Sequence, residues 1–325
     1  MATLRGEAAL TEAADRLAAG DLVAFPTETV YGLGARADDE QAVAGIFAAK
    51  GRPADHPLIV HVADAEHAAF FTSGFNQQAQ RLAAAFWPGP LTLIVPRRPD
   101  VAAAAAGGQS SIGLRVPAHP LALALLRAAA ARGVPGVAGP SANRFGRVSP
   151  TTAAHVAQEF GDALCVLDGG ACEVGIESTI VDCTRDQPAL LRPGQVGREQ
   201  IEAVLGCPLA APDAQSPRAS GTLEAHYAPS VPVRLWDSGD LQGLLAQSPP
   251  AGGGVVGVYS RLAPAAAPGW LHKAMPGKAA AAAHELFSVL RDLDAAGVRA
   301  IWVERPPSGA EWDGVRDRLQ RAAAA

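Results

Sequence analysis

The chain has 325 residues, of which 49% are hydrophobic and 18% charged, with 34 Gly and 26 Pro. That is apolar matter enough for a buried core, too little Gly and Pro for a collagenous or low-complexity chain, and a length that suggests two domains. The net charge of −5 argues against a broad nucleic-acid footprint, which needs Lys and Arg in surplus on one face, but is compatible with a local anion pocket.

In chain order, Leu10, Ala14 and Leu17 fall on one face of a helix over residues 7–19 that Gly20 stops. A strand is expected at 22–25, a loop at 26–34, a helix at 39–50 with Val43, Ile46 and Phe47 inward, a strand at 58–62 and a helix at 77–86. Strands at 91–95 and 112–116 follow, then a helix at 121–131, a strand at 136–138, a helix at 150–160, strands at 165–167 and 179–182, and a helix at 198–205. Ser149 before Pro150 reads as N-cap and N1 of the 150–160 helix. The alanine runs 102–106 and 279–283 read as helix formers. Neighbouring strands without a helix between them predict an α/β fold whose sheet is partly antiparallel.

Between Cys207 and Pro229 the chain turns to Pro, Ala, Ser and Gly with little periodicity, which reads as a linker. Strands at 231–236, 255–259 and 300–304 with a helix at 279–296 then make a second, smaller α/β unit. The expected division is 1–208 for the first domain, 209–230 for the linker and 231–325 for the second. The acidic N-terminal stretch lacks the apolar core of a secretory signal, and no run reaches 18 apolar residues, so a cytoplasmic protein without membrane contact is expected. Cys165, Cys172, Cys183 and Cys207 have no CxxC or zinc spacing and read as reduced thiols.

Phosphate-loop, GxGxxG, HExxH and GxSxG signatures are absent. Polar groups gather instead at predicted strand ends. PTETVYGLG (Pro26–Gly34) follows the first strand, in the position where open α/β sheets bind ligands. Lys50 and Arg52 lie two apart around Gly51: a Lys in the last helical turn with Gly51 as C′ residue is a good reading, and the other, two cations converging on one polyanion, rests on a spacing that is weak by itself. Lys50 is also the only lysine before Lys273. As a surface helix-end residue it would contribute only ~0.3–1 kcal/mol to stability. Arg115 in GLRVP, Arg192 in LLRPG, Ser141 and Asn143 in GPSANRFGRVSPTT, and Ser178 between Glu177 and Thr179 complete the polar clusters.

PTETVYGLG, KGRP with HPLIVHV, WPGPLTLI, GLRVP, SAN with GRVSPT, ESTIVD and LLRPG follow one another in the order and spacing of the YrdC-like domain of threonylcarbamoyl-AMP synthases, from about Asp21 to Gly194. HYAP at His226–Pro229 before a small α/β unit resembles the two-domain form. The resemblance implies a twisted open mixed sheet with helices, followed by a Rossmann-like domain. It implies formation of L-threonylcarbamoyl-AMP and pyrophosphate from L-threonine, bicarbonate and ATP, with Mg²⁺ accompanying ATP. The product would pass to tRNA threonylcarbamoyl-transferase proteins, with no stable nucleic-acid binding by this chain.

By the same resemblance, Lys50 and Arg52 neutralise phosphates and are the catalytic pair. His56, Ser111, Ser141, Asn143, Ser149, Arg192, His226 and Tyr227 complete the ATP side. Thr29, Tyr31, His61, Arg115 and Ser178 form the threonine side, with Arg115 facing the carboxylate. No metal ligands are implied, since Mg²⁺ seldom receives an all-protein cage. The chain departs from the family in having His56 where Asn is frequent and Ser220-Gly221-Thr222 where Ser-Pro-Gly is frequent. The linker is expected to act as a lid over the site. Rival readings are an RNA-binding module, a carbamoyl-transfer enzyme of the same fold and a nucleotide sensor without catalysis.

Overall fold

The computed structural model describes residues 3, 4, 6–247, 254–262 and 269–325. They form two units, one comprising the chain through Phe145 together with Ser149–Thr222, the other Gly146–Val148 with Leu223–Ala325.

In the first unit, β1 (Thr3–Leu4), α1 (Glu7–Ala18), β2 (Val23–Phe25), β3 (Gly32–Arg36), α2 (Glu40–Lys50), β4 (Ile59–His61), α3 (Ala65–Ala69) and α4 (Gln77–Phe86) come first. They are followed by β5 (Leu91–Pro96), β6 (Ser111–Arg115), α5 (Pro120–Ala130), β7 (Val137–Ala138), α6 (Ala153–Phe160), β8 (Cys165–Leu167), β9 (Thr179–Asp182), β10 (Ala189–Arg192) and α7 (Arg198–Leu205). Among the described residues the ten strands make one mixed sheet in the order β1-β8-β2-β3-β7-β4-β6-β5-β9-β10. The expected α/β class and mixed sheet are present.

Helix starts follow side-chain capping: Asp39 accepts from the Gln41 and Ala42 amides to open α2, and Asn76 accepts from Ala79 to open α4. Gly51, at φ 64°, ends α2 in the left-handed conformation that glycine adopts without strain. One apolar layer packs Val43, Ile46, Val60, Leu93, Leu114 and Val181 together, and a second sets α1 and α5 against Phe25, Val137 and Leu167.

Three local expectations are corrected. Ser149 and Pro150 do not open α6. Thr152 caps it, accepting from the His155 amide at 3.2 Å, because the Ser149 hydroxyl donates to Glu177 and the Pro150 carbonyl accepts from the Tyr31 amide. Residues 102–106 form turns rather than helix, since Pro99 and Gly107-Gly108 cut the run short and Ala105 gives its carbonyl to the Leu58 amide. The expected loop at 26–34 becomes β3 from Gly32. Gly32 and Gly34 stand where a Cβ would meet the Phe25 ring at 3.1 and 2.9 Å, so glycines let the hairpin close on that ring.

The second unit contains β11 (Val233–Trp236), α8 (Ser238–Leu245), β12 (Val256–Ser260), β13 (Trp270–Ala274), α9 (Ala279–Ala295), β14 (Ala300–Glu304) and α10 (Asp313–Ala323). Its sheet, ordered β11-β14-β12-β13, is parallel throughout. Helices α3, α8 and α10 and strands β1, β10 and β13 are additions to the expected elements. Among the described residues no helix is long and apolar enough to cross a membrane.

Candidate active site

Side chains alternate along a strand, and the pairing register therefore sorts the centre of the first sheet into two faces. Val60, Leu93, Leu114 and Val181 enter the core. On the other face, Ile59 and His61 of β4 stand beside Gly113 and Arg115 of β6, and Thr92 and Ile94 of β5 beside Ile180 of β9. Charged and hydroxyl groups at the centre of a sheet cost desolvation unless each has a partner. The polar loops supply those partners.

Lys50, the last residue of α2, is 3% exposed and donates to the Ser141 carbonyl at 2.5 Å and to the Asn143 carbonyl. It is therefore not the surface residue that its helix-end position suggests. Burial, with the neighbouring Arg52 charge, holds its ammonium well below the usual lysine range. The Lys50 carbonyl accepts from the Phe145 amide, so the backbone repeats the connection made by the side chain. Arg52 donates to the Pro57 carbonyl at 3.0 Å and lies over the Phe145 ring, on which His56 also packs at 5.5 Å. Burial and Arg52 lower the His56 imidazole below its ordinary value. The Ser149 hydroxyl, fully buried, donates to Glu177 at 2.5 Å. Lys50, Arg52, His56, Ser141, Asn143 and Phe145 thus form one contiguous cluster.

A second cluster surrounds Arg115. Its Nε donates to the Gly89 carbonyl (3.2 Å), Nη1 to Thr29 Oγ1 (2.9 Å) and Nη2 to Glu28 Oε1 (2.6 Å). Burial pushes the Glu28 carboxyl up, but the Arg115 guanidinium outweighs it and leaves the group below the usual carboxylate range. A guanidinium carries five N–H bonds, so two remain beyond these three contacts. Thr27 holds the loop rigid, meeting Thr29 at 2.8 Å and donating to the Val30 carbonyl at 2.7 Å. His61 pairs in register with Arg115 and sits edge-on to Phe25. Burial, then the Arg115 charge, lowers its imidazole to about 3, and Nδ1 has no hydrogen-bond partner. Gly139 lies where a Cβ would approach that nitrogen to 3.1 Å.

The third cluster joins strand ends to the linker. Arg192 grips the Ser178 carbonyl through Nε and Nη2 (3.1 and 2.8 Å), reaches Ser178 Oγ at 3.2 Å, and donates through Nη1 to the Ser220 carbonyl at 2.8 Å. Thr92 meets Ser178 Oγ at 2.8 Å. Gly194 is required here, because a Cβ would fall 2.5 Å from the Thr179 amide nitrogen. Arg218 ties the linker down through Asp55 (2.8 Å), the Gly107 carbonyl and the side chain of Gln109. Residues 218–220 lie over Ile59, Thr92, Ser111 and Ile180, leaving about 10 Å³ between linker and sheet, roughly the space of one water.

Tyr31 is buried and its hydroxyl is engaged by the 169–170 turn, donating to the Gly170 carbonyl at 2.7 Å and accepting from the Gly169 amide. His226 and Tyr227 belong to the second unit, where the Tyr227 ring stacks on Phe287 and Arg318 lies over it. Glu28, Thr92 and Arg218 are site residues that the sequence reading did not single out. The signal for Glu28 was an acid between two threonines in a loop, where it caps no helix. A separate apolar cleft of about 580 Å³, lined by Phe75, Trp87 and Val116 among others, contains none of these groups.

A family model described as "Telomere recombination", for the Sua5, YciO and YrdC group, matches residues 15–194, and one described as "Threonylcarbamoyl-AMP synthase, C-terminal domain" matches residues 196–324. Curated relatives named threonylcarbamoyl-AMP synthase include that of Pyrococcus abyssi, 46% identical over 66% of this chain and 64% of its own length. That of Bacillus subtilis is 44% identical over 70% and 66%, and that of Schizosaccharomyces pombe 33% identical over 93% and 84%. The chain thus spans just under two thirds of the first two. Among solved structures, P. abyssi Sua5 complexed with L-threonine superposes with a TM-score of 0.87 at 37% identity, covering 99% of this chain and 96% of that one. A variant of the same protein with a His and a Tyr changed to Ala gives 0.86 at 35% identity, covering 97% and 92%. Two adjoining family models and relatives along nearly the whole chain agree, and the chain belongs to the threonylcarbamoyl-AMP synthase family.

Proposed function

We propose that this protein condenses L-threonine, bicarbonate and ATP into L-threonylcarbamoyl-AMP, releasing pyrophosphate. The observation that carries the reading is the fixed Arg115 fork, with two N–H bonds beyond its protein contacts, on the same unit as the buried Lys50–Arg52 cluster. One suits a carboxylate and the other a polyphosphate.

The neutral threonine amine adds to the carbon of bicarbonate, whose C–O bond breaks with loss of water, and the resulting carbamate oxygen attacks the α-phosphorus as the bond to the β-phosphate oxygen breaks and pyrophosphate leaves. Two anions must meet in that step, so the protein's task is to neutralise charge, position the reactants and exclude water, with no protein nucleophile required. Lys50 and Arg52 neutralise phosphate oxygens, and an anion beside Lys50 restores the charge that burial opposes. His56, Ser111, Ser141, Asn143, Ser149 and Arg192 line the nucleotide side. Thr29, His61, Arg115 and Ser178 line the threonine side, and Tyr31 shapes it by holding the 168–170 turn.

Mg²⁺ bound with the triphosphate would supply further neutralisation of phosphate charge. Among the described residues no three His, Cys, Asp or Glu side chains converge to hold a metal, and Glu177 is engaged by Ser149. Phosphate oxygens and water would serve as its ligands, since Mg²⁺ seldom receives an all-protein cage. The adenylate serves tRNA-modifying transferases in the cytoplasm, and the linker acts as a lid over the nucleotide. ATP turnover with pyrophosphate release, measured with threonine and bicarbonate omitted in turn, tests the assignment. Turnover should require both, and equal turnover without threonine would sink it.

A further inference from the structure

Glu28 is 5% exposed, and only one of its carboxylate oxygens is matched. Oε1 accepts from Arg115, whereas Oε2, equally enclosed, has no hydrogen-bond partner. Buried carboxylate oxygens are ordinarily satisfied, and an exception needs a reason. The loop cannot easily swing to relieve it, because Val174 donates to the Glu28 carbonyl at 2.7 Å and Gly175 to the Thr29 carbonyl at 3.1 Å. Arg115, which holds the other oxygen, keeps two N–H bonds beyond its three protein contacts.

We propose that Glu28 and Arg115 read the amino-acid substrate as a zwitterion, Arg115 taking its carboxylate and Glu28 Oε2 accepting a hydrogen bond from its nitrogen. The inference rests on the function proposed above and adds a specificity residue to it. A fixed pair of opposite charges favours a ligand carrying both charges and opposes one that carries only the anion. After carboxylation the nitrogen keeps one N–H. Directing it at Glu28 turns the new carboxylate away from that like charge and fixes which way the carbamate faces.

The test measures binding to the full chain of L-threonine and of 2,3-dihydroxybutyrate, in which a hydroxyl replaces the amine. Wild type should prefer threonine by roughly tenfold or more, the usual scale for a hydrogen bond to a charged group. Glu28→Gln should reduce that preference to within about twofold while ATP affinity holds. If both ligands weaken by the same factor, Glu28 only supports Arg115 and the proposal is overturned. Equal affinities in the wild type overturn it without any variant, so a Glu28→Gln chain that fails to fold does not shelter it. Threonine binding without preference for the amine removes this inference alone, whereas ATP binding with no threonine binding at all removes the proposed function too.

Discussion

The Lys50 ammonium donates to the carbonyl oxygens of Ser141 and Asn143, so the end of helix α2 is stitched to the loop after β7 by one buried side chain. That contact changes what its removal should do. Lys50→Met keeps the aliphatic stem but leaves two carbonyls unmet, which costs about 1–3 kcal/mol rather than the ~0.3–1 kcal/mol expected of an exposed helix end. Activity should fall at least 100-fold. In the wild type, ATP affinity should decline as pH rises toward the ordinary lysine range, since the ammonium is lost early, while the Met variant stays flat. A variant with full activity, or parallel pH profiles, would remove Lys50 from phosphate binding.

His61 makes stability depend on pH with a definite sign. Burial holds its imidazole at about 3 in the folded chain, against an ordinary 6.5. Between these values the unfolded chain binds the extra proton, so stability is complete above pH 6.5 and falls as pH falls, by up to about 1.4 kcal/mol per unit. Between pH 7.5 and 5.0 the wild type should lose about 2 kcal/mol more than His61→Asn. Denaturant melts at the two pH values check this, and identical losses would show that His61 is protonated or exposed in the native state.

Much of the site was legible because its chemistry sits in punctuation. Gly51 after Lys50, the Pro turns beyond Arg115 and Arg192, and the hydroxyls of PTETVYGLG all mark places where a strand or helix stops. What stayed hidden depends on distance in sequence. The partners of Lys50 lie 91 and 93 residues away and that of Arg115 87 residues away, so neither the burial of Lys50 nor the role of Glu28 shows in local pattern. Ser149 illustrates the same limit. Its Ser-Pro pair satisfies every local rule for a helix start, but a carboxylate 28 residues on claims the hydroxyl first.

Tyr31 separates anchoring from binding. Its hydroxyl joins Gly169 and Gly170 across the domain. Tyr31→Phe should leave the Gly170 carbonyl unmet and cost about 1–2 kcal/mol, with KM for threonine and ATP within about twofold of wild type. A thermal melt and steady-state kinetics decide it. A large rise in KM for threonine with unchanged stability would instead place the hydroxyl against the substrate.

The linker offers the sharpest test of the lid. Residues 209–222 group with the first unit, and Arg218 and Ser220 fasten them over the sheet face that carries Ser111 and Thr92. The Arg218–Asp55 pair is about half exposed on both sides, and such pairs contribute roughly 0–1 kcal/mol; on the lid reading, the segment lifts for ATP and closes over it. A chain ending at Pro212 loses these contacts, whereas one ending at Thr222 keeps them. ATP affinity should drop at least tenfold for the shorter chain and by less for the longer, whose linker remains. Since Arg192 also loses the Ser220 carbonyl in the shorter chain, Arg192→Lys in the full-length protein provides a control, and it should mimic part of the loss. If the chain ending at Pro212 binds ATP as tightly as the intact protein, the linker is a tether and not a lid.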